Sequence, residues 1–167
     1  MPITSAWSDP NSLDLIVNDV LNQTTWENVC GNLLWLFGTT GASQSFTPTL
    51  TQSGSVSTSS ATGRYIKVGK WVVAQCSVTA SSAGTAGNQI IIGGLPVAQS
   101  NDAFPHCVGR YLNAAGNSNY LLVGEFATTT SMILYSGGAA TGRFGVNPVV
   151  TIASGDIISL ILIYEGP

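Results

Sequence analysis

From residue 62 onward the chain alternates with a period of two, and this constrains its fold more than any other feature. Val72, Ala74, Cys76 and Val78 fall on one side of an extended chain, with Val73, Gln75, Ser77 and Thr79 on the other. Just before this run lies Gly69-Lys70. Glycine at the first central position suits a type II′ turn, so residues 64–68 and 71–79 should pair as an antiparallel hairpin. Further short strands are expected near residues 89–92, 106–112, 119–126, 132–135, 149–152 and 157–164, separated by Gly-, Ser- and Asn-rich turns. This pattern predicts a mainly β chain, an antiparallel jelly-roll-like β-sandwich.

The last of these strands is apolar on both sides. Ile157, Ile161 and Ile163 alternate with Ile158, Leu160 and Leu162. A strand of that kind is covered on both faces, whereas a single sandwich leaves one face in water. A subunit interface removes the conflict, and these six residues are the candidate interface.

Composition points the same way. Charged residues are only 8% of the chain, against about 25% in an average soluble domain. Surfaces so poor in charge lack the usual protection against association, which suits life inside an assembly. Five basic residues against eight acidic give a net charge of −3, and they form no basic cluster. Nucleic-acid binding is therefore not expected. The longest apolar runs, 33–37 and 157–164, are too short to cross a bilayer as helices, so no membrane insertion is expected. The first 45 residues contain no Lys or Arg and so offer no signal-peptide n-region. Cys30, Cys76 and Cys107 are odd in number and far apart. They read as buried free thiols, consistent with folding in a reducing cytosol, and neither a disulfide framework nor a zinc site is implied.

The chain divides near residue 40. Before it, Leu13, Ile16, Val17, Val20 and Leu21 recur at helical spacing behind the capping candidates Asn11 and Ser12. Thr24 and Glu27 have capping-box spacing, and Trp26, Val29, Cys30, Leu33, Leu34 and Phe37 form an apolar stripe ending at Gly38. Residues 1–40 are thus expected to be a short helical segment. Isolated helices this short are marginal and must dock on something. Leu13, Val17, Val20, Trp26, Val29 and Leu33 are the candidate attachment residues. Residues 41–61, rich in Ser, Thr and Gly, read as a linker or an irregular edge with one possible strand near 45–50, and residues 62–167 as the β head.

Little in the chain suggests catalysis. The single histidine, His106, precedes Cys107, but neighbours on a strand point to opposite faces and cannot form a dyad. Asp156 sits in a Ser-Gly-Asp turn before the last strand. Residues 137–142 are Gly-rich but lack the Lys and helix of a phosphate loop. Trp7 and Trp71 could stack on sugars if exposed, although core or interface packing is the commoner use of Trp. No enzymatic activity and no cofactor are expected.

One segment carries a resemblance. Gly63, Tyr65, Lys67 and Gly69, followed by Gly94, Leu95 and Pro96, resemble the C-terminal head domains of bacteriophage tail-fibre and related virion proteins. In those heads a Gly-x-Tyr-x-Lys-x-Gly turn leads into a long strand and a Gly-Leu-Pro follows. The ending SGDIISLILIYEGP is similar to their hydrophobic final strand, so the resemblance extends over about 100 residues, 62 to the end. It implies a jelly roll like C1q and tumour-necrosis-factor heads, assembled as a homotrimer. It also implies a place in the virion, reached after synthesis in the host cytoplasm. The leading expectation is a trimeric spike or short tail fibre. Its N-terminal segment would bind other virion proteins and its β head a host-surface glycan or protein. The alternative is a capsid decoration, or cement, protein that stabilises the head. A glycan-cleaving depolymerase is a third class with no residue pattern behind it.

Overall fold

The structure, a computed structural model, describes residues 43–100, 106–116, 118–137 and 142–167. Its strands are β1 (Gln44–Phe46), β2 (Thr49–Gln52), β3 (Gly54–Val56), β4 (Thr58–Val68), β5 (Trp71–Ala80), β6 (Ile90–Gly93), β7 (His106–Leu112), β8 (Asn119–Thr128), β9 (Ser131–Ser136) and β10 (Ile157–Glu165). All pair antiparallel in one sheet, in the order β1-β4-β5-β10-β7-β8-β9-β6-β2-β3. The sheet curls on itself: β2, near its far end, comes back against β4 and β5. Among the described residues there is no helix. The helices expected over residues 1–40, and all six candidate attachment residues, lie outside the described residues.

The period-two reading of β5 appears directly in its burial. Val72, Ala74, Cys76, Val78 and Ala80 are buried, and the residues between them are partly or fully exposed. The same alternation along β10 buries Ile158, Leu160, Leu162 and Tyr164. These inward residues meet Leu122, Met132, Leu134, Ile90, Ile92 and Leu50 from the other half of the curl, forming one core. Aromatic rings close its ends. Phe144 packs edge-on against Tyr111 at 5.2 Å, and Phe126 against Tyr164 at 5.2 Å. The Tyr164 hydroxyl donates to the Val97 carbonyl at 2.9 Å.

Four of the residues that carry the sequence resemblance, Gly63, Tyr65, Lys67 and Gly69, each have a structural task. Gly69 has φ 58°, and Lys70 is not in the left-handed region, as a type II′ turn requires; β4 and β5 pair right up to Val68 and Trp71. Gly63 leaves room for the Phe46 ring of β1, which a Cβ there would strike. Tyr65 packs edge-on to Phe46 and donates to Gln44 Oε1 at 2.5 Å, and Lys67 Nζ donates to the Pro167 carbonyl at 2.8 Å. The contacts of Gly63 and Tyr65 with Phe46 and Gln44 pin β1 to the sheet edge.

Two expectations are corrected. The stretch 41–61 contains β1, β2, β3 and the start of β4, so from Gln44 it is sheet and not linker. Only Leu50, Gln52 and Val56 face inward from β2 and β3, so the hydrophobic alternation is thin there. Residues 149–152, expected as a strand, form only isolated bridges. Two of their backbone groups, Val150 C=O and Ile152 N–H, are taken by a side chain, while Val150 N–H and Ile152 C=O pair with the backbone of Gly145 and Gly84. Buried Gln52 donates from Nε2 to the carbonyls of Val150 (2.6 Å) and Asn88 (3.1 Å), and its Oε1 accepts from Ile152 N–H (3.0 Å). One amide thus ties three chain segments, satisfying polar groups that burial would otherwise leave costly.

A candidate interaction face

The outward face of β4, β5, β10, β7 and β8 is the least ordinary surface of the molecule. Cross-strand register arranges its side chains in rows. In the first, Ile66, Val73, Ile163 and His106 lie side by side. In the second, Arg64, Gln75, Ile161, Val108 and Val123 follow the same order, with Tyr135 of β9 beyond. In the third come Thr62, Ser77, Ser159, Arg110 and Leu121. Val68, Trp71 and Glu165 continue the face past the first row.

Ile161 and Leu121 are each 58% exposed, and Trp71 and Val108 54%. With Ile66, Val68, Val73, Val123 and Ile163 they make nine of the eleven exposed large hydrophobics among the described residues. Their combined exposed area is on the order of 800 Å², beyond the roughly 300–600 Å² of the largest patch on a typical monomer. It also matches the ~800 Å² that each partner contributes to a standard interface.

Between the second and third rows runs a groove of about 850 Å³. Its floor is low because Ser77 and Ser159 are small, and their hydroxyls hydrogen-bond to one another at 3.0 Å. Arg64 and Arg110 stand at its two sides, with Ile161 and Val108 as the apolar wall. The groove offers apolar contact and hydroxyls flanked by positive charge. It has no carboxylate or histidine among its lining residues, so it presents nothing for acid–base chemistry.

The six residues expected at an interface divide by parity. Ile158, Leu160 and Leu162 belong to the core of the chain itself; Ile161 and Ile163 are exposed on the outer face and Ile157 half-buried beside them. The outward residues of β5, β7 and β8 that complete the face carried a sequence signal as well. Trp71 and Val73, Val108, and Leu121 and Val123 all sit at positions that an ordinary solvated strand gives to polar side chains.

The candidate chemical groups are dispersed. His106 is exposed at the end of the first row, while Cys107 is buried on the opposite side of β7. Burial pushes the thiols of Cys76 and Cys107 up to about 12, with Cys76 adding to the effect at Cys107, so neither is a nucleophile at neutral pH. Asp156 is 2% exposed and fully engaged. Its Oδ2 accepts from Tyr111 Oη (2.6 Å) and Ala153 N–H (2.8 Å), and its Oδ1 from Ala114 N–H (2.8 Å). The turn reading of Asp156 stands, but the carboxylate is also a buried clamp between the β7–β8 loop and the start of β10. Burial, followed by the Asp156 hydrogen bond, raises the Tyr111 pKa above the usual phenol range. On the outer face, Glu125 accepts a hydrogen bond from Tyr135 Oη. Among the described residues no three His, Cys, Asp or Glu side chains come together as a metal site.

No protein-family model, curated protein or solved structure matches the chain. The functional reading therefore rests on the outer face, the composition and the sequence motifs.

Proposed function

We propose that this chain is a structural protein of a bacteriophage particle, the jelly-roll head of a trimeric spike or short tail fibre that binds the host surface. The observation that carries the reading is the apolar outer face of β4, β5, β10, β7 and β8. A chain with 8% charged residues and such a face is suited to permanent association and poorly suited to life as a free monomer. Copies of the chain meet through that face, centred on Ile161 and Ile163 of β10. The curled antiparallel sheet with the final strand at its centre supports a jelly-roll-like head, and Gly63, Tyr65, Lys67, Gly69 and Gly94-Leu95-Pro96 support a phage origin. Loops at the ends of the strands, which stay outside the association face, make the receptor contacts. Residues 1–40 hold the head to other virion proteins.

Light scattering on the purified full chain tests the association: three times the chain mass is expected. A monomer at micromolar concentration overturns the trimer. Quantifying the band in purified particles tests the location. A few copies per particle support a spike or fibre, and hundreds favour the decoration reading instead. Absence from particles overturns both.

A further inference from the structure

We propose that Arg64 of one copy pairs with Glu125 of the next across the association face, and that this pair sets the register of the assembly. The inference rests on the association reading above and adds to it the charges that orient it. Arg64 projects from β4 at one margin of the outer face, and Glu125 from β8 at the other, with β5, β10 and β7 between them. Both are exposed. Any rotation axis running along the central strand β10 carries the β4 margin of one copy onto the β8 margin of its neighbour and leaves heights along the strands unchanged.

The heights agree. Arg64 lies in the row of Gln75, Ile161, Val108 and Val123, and Glu125 is two residues beyond Val123 on β8. Two residues of strand are about 7 Å, which an Arg and a Glu side chain span together. Opposite charges thus meet where the margins meet, while a copy shifted by one row in the direction that separates them leaves Arg64 over Leu121 and Glu125 over Val68. Closing an apolar face over an unpaired charge is strongly unfavourable, so the pair acts mainly against wrong registers. Tyr135 supports the arrangement. Its hydroxyl donates to Oε1 of Glu125, which holds the carboxylate on the outer face, and among the described residues Oε2 has no partner. The guanidinium of Arg143, also beside Tyr135, donates to Gln89 Oε1. The groove beside Arg64 provides room for a neighbour's side chains at the same margin.

A charge-reversal cycle on the full chain tests this. Arg64→Glu and Glu125→Arg should each raise the concentration at which the assembly dissociates by at least about tenfold, and the double variant should return to within about threefold of the parent. Slow thiol labelling of Cys76 and Cys107 confirms that each variant is folded. The pair is overturned if the double variant dissociates as readily as the worse single variant, or if neither single variant weakens the assembly. That result leaves the association reading standing. A parent chain that is monomeric at every concentration overturns both.

Discussion

The two faces of β10 are built from the same kinds of residue and meet opposite environments. Ile158, Leu160 and Leu162 are buried to within 2% of complete, while Ile161 and Ile163 on the other side are 58% and 38% exposed. β5 repeats the contrast, with Val72 and Ala74 inward and Trp71 and Val73 outward. Side-chain chemistry therefore does not distinguish a residue that holds the chain together from one left on its surface. Only parity within the curled sheet does. The inner face contributes to folding, and the outer face would contribute only in the proposed association.

The sharpest way to break this comparison is to truncate on each side of one strand. Leu160→Ala removes a core side chain packed between β5 and β7. It should lower stability by about 2–5 kcal/mol, read as a shift in the urea midpoint. Ile161→Ala, one residue away, should change monomer stability by less than about 0.5 kcal/mol. Equal losses in dilute, dissociated protein would mean that Ile161 belongs to the fold and that the outer face is misassigned.

A polar probe on the outer face should act on association alone. Ile161→Asp places a charge at the centre of the proposed interface. It should weaken the assembly by at least about 30-fold, the level of an interface hot spot, and leave a folded monomer. Val108→Asp, on the neighbouring strand and in the same row, serves the same purpose if the first variant folds poorly. As a control, Val149→Asp should leave the assembly intact, because Val149 is 68% exposed and off this face. Unchanged assembly in both face variants would remove the observation on which the function rests.

A smaller effect is expected where the core is polar. Asp156→Ala leaves the Tyr111 hydroxyl and the amides of Ala114 and Ala153 without their acceptor. The loss should be about 1–3 kcal/mol and should appear as faster amide exchange at Ala114 and Ala153. If exchange there is unchanged, the carboxylate is not clamping the two loops.

These residues also show what the sequence discloses and what it hides. The β4–β5 hairpin was legible because Gly69 has a conformational requirement that few residues meet, and the end of β7 because Asn113 opens the turn that follows it. The apolar outer face was half legible. β10 announces it with a run that is apolar on both faces apart from Ser159, whereas β5, β7 and β8 contribute one or two outward hydrophobics each, which join only through register. Strands β1 to β3 were legible only as one strand near 45–50, because their inward positions include Gln52, a residue that reads as surface until other segments converge on its amide. The same convergence takes residues 149–152 out of the sheet, and no local pattern encodes it. The groove was illegible for a similar reason: Ser77 and Ser159 are unremarkable until pairing places them side by side.

The mildest expected effect separates inner from outer face by pH. Cys76 and Cys107 face inward, and burial raises each thiol from 9.0 to about 12; Tyr164 rises from 10.0 to about 12, also chiefly through burial. These groups keep their protons in the folded chain at pH values where the unfolded chain has released them. Between about pH 9 and 12 the folded state therefore binds more protons, and stability falls as pH rises. Below pH 9 these groups contribute no slope. The urea midpoint of the dissociated chain should be flat from pH 7.5 to 8.5 and decline from pH 9 to 10.5. The paired variant Cys76→Ala/Cys107→Ala, less stable at every pH, should decline more gently. Ile161→Asp changes only the outer face, so it should show the parental slope. A flat midpoint up to pH 10.5 would mean that the thiols and Tyr164 meet solvent, and that the inward face is not sealed as the burial of β5 and β10 requires.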